Sequence, residues 1–202
     1  MKLLVCLSAL LALPALAAPP LPLQPLIDAA PAGATLRLAP GAYAGPVHIS
    51  RPLTLDGGRQ AVIVGNGRGT VLSVAGNSVT LRGLRLTGSG ELHDHVDAGI
   101  LLEGDDHRVE DNQLDDVLFG IHLKQVRRSR IAGNRITGKD LAPAMRGDGL
   151  RVWYSQHNVI EGNHFTRARD LTFANSADNR IVGNEFSDGR YGMHIVFSPR
   201  LL

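Results

Sequence analysis

The sequence predicts an all-β protein, a single-stranded right-handed parallel β-helix with a short capping helix at its N-terminal end. Short apolar strands recur along the chain, separated by glycine, asparagine and aspartate turns rather than by helices. In the clearest copy, residues 119–138, Ile121, Leu123, Ile131 and Ile136 lie on one side of their strands by alternation. Because such short strands cannot bury an apolar face alone, they are expected to stack as coils about 4.8 Å apart.

The second observation is the spacing of four asparagines, each of which follows a glycine or an aspartate at the end of a strand. They lie 22, 29 and 21 residues apart, close to the length of one coil, and are Asn112, Asn134, Asn163 and Asn184. Glycine tolerates the positive φ of a tight corner, and an inward asparagine can bond its equivalent in the next coil. We therefore expect one structural column rather than a catalytic set.

The N-terminal residues predict an export signal. Lys2 is followed by an apolar segment, residues 3–13, that is too short to span a bilayer, and residues 15–17 read Ala-Leu-Ala, a cleavage site. The single cysteine, Cys6, lies inside this segment, so the mature chain is expected to lack disulfides. We expect an exported protein, cleaved near Ala17, with no transmembrane segment in its mature form.

The rest of the chain predicts one β-helix domain. Its length of 202 residues suits a single domain, and 21 basic against 19 acidic residues give no reason to expect nucleic acid as a partner. A loose, proline-rich lead-in over residues 18–25 precedes the domain, which is expected over 26–202. A short amphipathic helix over 26–30, ended by Pro31, is expected to cover the N-terminal end of the solenoid.

Irregular strands come before the regular coils, which begin near Gly99. They are predicted at residues 35–38, 47–49, 53–55, 61–64, 70–74, 79–81 and 84–86. Two longer segments, 89–98 and 139–148, interrupt the pattern and are expected to be loops on the side of the solenoid, where function is often found.

The first of these loops contains the densest group of potential metal ligands. His93, His95 and Asp97 alternate, so an extended loop would place all three on one side, and imidazole with carboxylate suits copper or zinc. The alternative is a polar loop with two solvated histidines.

Paired carboxylates would indicate a polysaccharide-active enzyme. Asp115 and Asp116 form the best pair, and Asp170 and Asp188 lie in comparable turns of later coils. Adjacent acids point to opposite sides of a strand, so turn formation is the favoured interpretation.

A third set predicts a docking surface. His122, Arg151 and His194 occupy equivalent positions in their coils and are expected to form one outward column, with Thr172 or Phe173 in the intervening coil. Three coils separate the histidines, about 14 Å at the stacking distance, so they cannot chelate one ion. With Trp153 and Tyr154 they suit a partner-binding face, and a merely solvated face is the alternative.

Two motifs make the chain resemble a known family. Residues 146–153 read R-G-D-G-L-R-V-W, and residues 190–194 read R-Y-G-M-H two coils later. This combination resembles the NosD family, the periplasmic maturation proteins of nitrous oxide reductase, which function in denitrification. The likeness extends over essentially the whole mature chain.

The resemblance implies a non-enzymatic accessory protein. It would work with the subunits of an ABC transporter and a copper chaperone to assemble the copper site of nitrous oxide reductase, with copper bound at most transiently. The matched motifs imply that Trp153, Tyr191 and His194 are family-specific positions. Members of that family are about twice this length, so an N-terminal fragment, incomplete at its C-terminus, is expected. The alternative function is an exported polysaccharide-active or carbohydrate-binding β-helix protein.

Overall fold

Three parallel sheets wind along one axis as a right-handed β-helix. The structure is a computed structural model that describes residues 18–202. The predicted export signal and Cys6 lie outside the described residues. Each coil contributes one strand to each of the three sheets, which are named A, B and C, and the chain passes through them in the repeated order B, A, C. The predicted fold class is therefore confirmed.

The strands are short, as the sequence predicts. Sheet A contains β1 (Leu21–Pro22), β3 (Gly41–Ala44), β6 (Ala61–Val64), β9 (Arg85–Thr87), β12 (Gln113–Val117), β15 (Arg135–Gly138), β18 (His164–Thr166) and β21 (Glu185–Ser187). Sheet B contains β2 (Thr35–Arg37), β5 (Thr54–Asp56), β8 (Thr80–Arg82), β11 (Arg108–Glu110), β14 (Arg130–Ala132), β17 (Val159–Glu161) and β20 (Arg180–Val182). Sheet C contains β4 (Val47–Ile49), β7 (Leu72–Ala75), β10 (Ala98–Asp105), β13 (Phe119–Arg127), β16 (Leu150–Trp153), β19 (Asp170–Ala174) and β22 (Gly192–Val196).

The core consists of columns of apolar side chains that stack from coil to coil. Period-two alternation turns one side of every strand inward, and the parallel register aligns each inward side chain with its equivalent in the next coil. One column on sheet B runs through Leu55, Leu81, Val109, Ile131 and Ile160, all of them buried. Burying each such side chain contributes about 1.5–3 kcal/mol, so the stacking explains why these short strands persist.

The predicted asparagine column is confirmed at the corner between sheets B and A. The Oδ1 atoms of Asn134, Asn163 and Asn184 each accept hydrogen bonds from the backbone N–H and the Nδ2 of the asparagine one coil earlier, at 2.9–3.0 Å. The Oδ1 of Asn112, the first of the column, accepts the backbone N–H of Leu84 at 3.0 Å. The residue before each asparagine has positive φ, which explains the preceding Gly or Asp: Asp111, Gly133, Gly162 and Gly183. The column is therefore structural.

A second polar ladder, which the sequence analysis did not identify, lines the corner between sheets C and B. The backbone N–H of Ser129 donates to Asn158 Oδ1 at 2.9 Å, and that of Asn158 donates to Asn179 Oδ1 at 3.0 Å. His107 begins this ladder, since its backbone N–H donates to Ser129 Oγ at 2.8 Å. Because its positions are occupied by different residue types, a search for one recurring residue does not detect this ladder.

The N-terminal end is more ordered than its composition indicates. Helix α1 (Gln24–Ala29) begins two residues before the predicted helix, and both Ile27 in it and Leu23 at its N-cap are buried against the core. The segment 18–25, treated above as a loose lead-in, contains β1, which pairs with β3, and the first two residues of α1. Gln24 ties the helix to the first coil, because its Oε1 accepts the backbone N–H of His48 at 2.7 Å.

The two predicted loops leave at the same corner, between sheets A and C, and meet there. Lys139 in the second loop lies 3.6 Å from Glu91 in the first. Val96 and Leu141, one from each loop, pack on a small apolar cluster that includes Phe119. The second loop contains a 3₁₀ turn (Pro143–Met145) and rejoins the solenoid at β16. It therefore sets the position of the residues that begin this strand.

The last coil of the described chain leaves apolar residues exposed that are equivalent to core residues in earlier coils. Met193 and Ile195 on β22 continue the inward columns of Leu171 and Phe173, yet they are 39% and 51% exposed. Within residues 18–202, none of the helices has the length and apolar character needed to cross a membrane.

Candidate functional site

A groove crosses the outer face of sheet C over its last three strands. Its cavity volume is about 410 Å³. Charged and aromatic side chains from three coils line it, among them Asp148, Arg151, Trp153, Arg169, His194 and Phe197. Such a mixture on a concave surface is typical of a binding site.

Strand alternation explains why these side chains face outward. On β16, Leu150 and Val152 are buried in the core, so Arg151 and Trp153 point to the outer face. The parallel register then aligns Arg151 with Thr172 on β19, and Thr172 with His194 on β22. The predicted column is confirmed, with Thr172 in the intervening coil.

A buried carboxylate and two arginines form the charged end of the groove. Asp148 is fully buried, and its Oδ1 accepts hydrogen bonds from Arg169 Nε at 3.2 Å and Nη2 at 3.0 Å. Arg151 Nη1 lies 3.5 Å from Asp148 Oδ2. A buried carboxylate is stable only when it is paired, so Arg169 and Asp148 form a fixed unit.

A second buried carboxylate lies beside the groove. Asp170 at the start of β19 accepts a hydrogen bond from Arg190 Nη2 and another, at 3.0 Å, from the backbone N–H of Tyr191. The bond to Asp170 raises the pKa of the Arg190 guanidinium, which keeps it charged. Arg190 also stacks on the ring of Tyr191, with 4.5 Å between the guanidinium carbon and the ring centre, and Tyr191 is 74% exposed.

Aromatic residues form the other end. The Arg151 guanidinium lies 5.0 Å from the centre of the Trp153 ring, a cation–π distance. Tyr154 packs edge-on against Trp153 with 5.5 Å between ring centres, and about half of its surface is exposed. Four of the five predicted docking residues, namely Arg151, Trp153, Tyr191 and His194, therefore lie in the groove or beside it.

The fifth, His122, is in the predicted column but not on an accessible surface. It is only 6% exposed, and its Nε2 is buried with no hydrogen-bond partner in residues 18–202. Burial, with smaller contributions from Arg151 and Lys124, lowers its pKa to about 4. A neutral, covered imidazole cannot contact a partner directly, which corrects its assignment as an outward docking residue.

The structure does not gather the predicted metal ligands into one set. Asp97 is buried, and its Oδ2 accepts the backbone N–H of Leu92 at 3.0 Å. His93 packs edge-on against Phe119, 5.6 Å between ring centres, whereas His95 is exposed. Across residues 18–202, no three His, Cys, Asp or Glu side chains are arranged to hold a metal ion. Metal binding by this loop stays a prediction.

The other candidate carboxylates take part in turns and ion pairs. Asp115 accepts a hydrogen bond from Gln113 Nε2 at 2.7 Å. Asp116 has positive φ and lies 3.3 Å from Lys139 Nζ, and Asp188 lies 3.1 Å from Arg146 Nη1. These contacts agree with the turn interpretation of these aspartates.

Asp148 and Arg169 are the groove residues whose role the sequence analysis missed. They lie 21 residues apart, close to one coil length, which is the one signal that relates them. The insertion over residues 139–148 makes it impossible to tell from spacing alone which of its residues returns to the regular coil position.

Comparisons with known proteins agree with the fold. Residues 70–201 match the family model described as a right handed beta helix region. The chain is also 30% identical, over 136 residues, to the "Probable ABC transporter binding protein NosD" of Pseudomonas aeruginosa. The match covers 66% of this chain and 32% of that protein, so the chain spans about a third of the length of the curated relative.

Proposed function

Since the chain belongs to the right-handed β-helix family, we propose that it is a NosD-like periplasmic accessory protein that binds an ABC transporter. In this role it works with a copper chaperone and helps to assemble the copper site of nitrous oxide reductase. Copper is then a transient cargo rather than a resident cofactor. The observation that carries the proposal is the similarity to a protein named as an ABC transporter binding protein.

The groove supports a binding role. Arginines and a tryptophan line it, and an exposed tyrosine lies beside it. These are the residue types enriched at the centres of protein interfaces. The buried carboxylates in and beside the groove, Asp148 and Asp170 respectively, are held by arginines. A glycoside hydrolase needs two carboxyl groups that face the substrate, so this arrangement favours binding over polysaccharide cleavage.

Two experiments test the proposal. In the first, the gene is deleted and the exported reductase is purified and analysed for copper. We expect reductase protein that lacks its catalytic copper cluster, and a fully loaded reductase would contradict the proposal. Complementation with the full-length gene is the control.

The second experiment measures binding of the purified chain to the cognate transporter in lipid nanodiscs. We expect Arg151→Glu to weaken binding at least tenfold, because it reverses the charge of an arginine that lines the groove. Arg108→Glu is the matched control, since Arg108 is an exposed arginine on sheet B, away from the groove. Equal loss in both variants would show that the groove is not the docking surface.

A further inference from the structure

We infer that the groove on sheet C binds an acidic peptide segment of a partner protein, with a carboxylate on Arg151 and an apolar side chain against Trp153. The inference rests on the proposed function, because it names the chemistry of the segment that docks in the groove.

The charge of the groove selects an acidic ligand. Its lining includes two arginines and one carboxylate, that of Asp148. Arg169 donates two hydrogen bonds to this carboxylate and so neutralises it. Arg151 keeps a single long contact to Asp148, at 3.5 Å, and within residues 18–202 no other carboxylate lies within 4.0 Å of its guanidinium nitrogens. Because a guanidinium has five N–H donors, most of those on Arg151 are available to a ligand carboxylate.

Two contacts restrain Arg151 before a ligand arrives. Asp148 is held by Arg169 from the next coil, and the Arg151 side chain rests on the Trp153 ring. A guanidinium already oriented in this way loses less conformational entropy on binding, which increases affinity. Arg151 is therefore a prepared carboxylate receptor rather than a mobile surface charge.

Apolar side chains line the groove on the side of Trp153. Trp153, Val196 and Phe197 line the groove, and Phe197 is 82% exposed at its margin. Apolar surface thus lies beside a positive charge, which suits a peptide with a Leu or Phe next to a Glu or Asp.

A peptide fits this groove better than an acidic sugar. A sugar ring presents hydroxyl groups around its edge and needs several donors and acceptors to replace water. Besides the two arginines and Asp148, the lining includes three polar side chains, Thr172, Asn175 and His194, and of these Thr172 is only 8% exposed. The apolar walls would leave most sugar hydroxyls unpaired.

The chain contains a built-in reporter of this groove. Trp153 is its single tryptophan, so its fluorescence reports on the groove alone. The probe is a synthetic peptide of Glu-Leu-Ser repeats, titrated into the purified chain, and the matched peptide has Gln in place of Glu. We expect a saturable change of Trp153 emission with the Glu peptide that weakens as salt rises, and none with the Gln peptide.

Variants identify the receptor group. Arg151→Gln is expected to weaken binding of the Glu peptide about tenfold or more, since it removes a charge-assisted hydrogen-bonded pair. Arg151→Lys keeps the charge but not the planar fork, so an intermediate loss is expected. Arg108→Gln is the control and should bind as the unmodified chain does, and circular dichroism confirms folding of each variant.

Three results would overturn the inference: no response to the Glu peptide, equal affinity for the Gln peptide, or tighter binding of oligogalacturonate than of the Glu peptide. None of them decides the proposed function, which depends on transporter binding and reductase copper. Conversely, a copper-loaded reductase in the deletion strain would refute the function while leaving the acidic-peptide site in place.

Discussion

Replacement of Asn134 by alanine tests the corner column most directly. Asn134 is fully buried, and its side chain makes four hydrogen bonds. Its Nδ2 donates to the carbonyl of Val109 at 2.8 Å and to Asn163 Oδ1 at 2.9 Å, and its Oδ1 accepts the backbone N–H and the Nδ2 of Asn112, both at 3.0 Å. Asn134→Ala removes all four bonds and supplies no substitute.

The expected loss follows from the groups left without a partner. The buried N–H of Asn112 becomes unpaired, whereas its Nδ2 still donates to the Leu81 carbonyl at 3.0 Å. One orphaned buried donor costs about 1–3 kcal/mol, so we expect a decrease in the free energy of unfolding toward the upper end of that range. Asn66→Ala is the control, since Asn66 is exposed and accepts one bond within its turn, and its effect should stay below about 0.5 kcal/mol.

Urea unfolding followed by circular dichroism measures the free energy, and hydrogen exchange locates the change. The Asn112 amide should exchange faster in Asn134→Ala than in the unmodified chain, while amides in the first coils stay protected, because a solenoid couples each coil mainly to its neighbours. Equal stability of Asn134→Ala and Asn66→Ala would refute the reasoning.

Three further predictions concern titration, metal binding and catalysis. Burial lowers the pKa of His122 from 6.5 to about 4, so the unfolded chain binds a proton at this residue more readily than the folded chain does. The free energy of unfolding should therefore decrease as the pH drops from about 6.5 to about 4, and it should decrease less in His122→Gln. Urea unfolding across this pH range measures the difference. Copper coordination by all three loop residues requires Asp97 to release the Leu92 amide, so binding should be weak. Titration of copper into the unmodified chain and into His93→Ala/His95→Ala checks this, and equal affinity would exclude the loop. Incubation with pectate or alginate in the presence of calcium should release no new reducing or unsaturated ends, and turnover abolished by Asp115→Asn would instead identify an enzyme.

The repeat pattern made the fold predictable. Alternation at Ile121 and Leu123 and the recurrence of Asn134 one coil after Asn112 depend on local spacing, which the sequence displays directly. Strand β3 was missed because Tyr43 is the single large apolar residue within Gly41–Ala44. The start of α1 was misplaced because the burial of Leu23 depends on the first coil and not on its own neighbours.

The groove was predictable in part. The shared position of Arg151 and His194 follows from the coil length, and the structure confirms that alignment through Thr172. The ion pair between Asp148 and Arg169 depends on how an insertion rejoins its coil, which spacing alone does not determine. His122 was expected to be exposed because its strand position points outward, but only 6% of its surface is accessible, which alternation along its strand does not reveal.

The direction of the backbone ladders has a mechanical consequence. In all three sheets the hydrogen bonds between strands connect one coil to the next, nearly parallel to the solenoid axis. A force along this axis therefore loads the coil boundaries in series, and the weakest boundary yields first. A force along the strands is carried instead by the covalent chain. A partner that pulled along the axis would therefore separate the solenoid at its weakest coil boundary, and the force required would not depend on how many coils lie on either side.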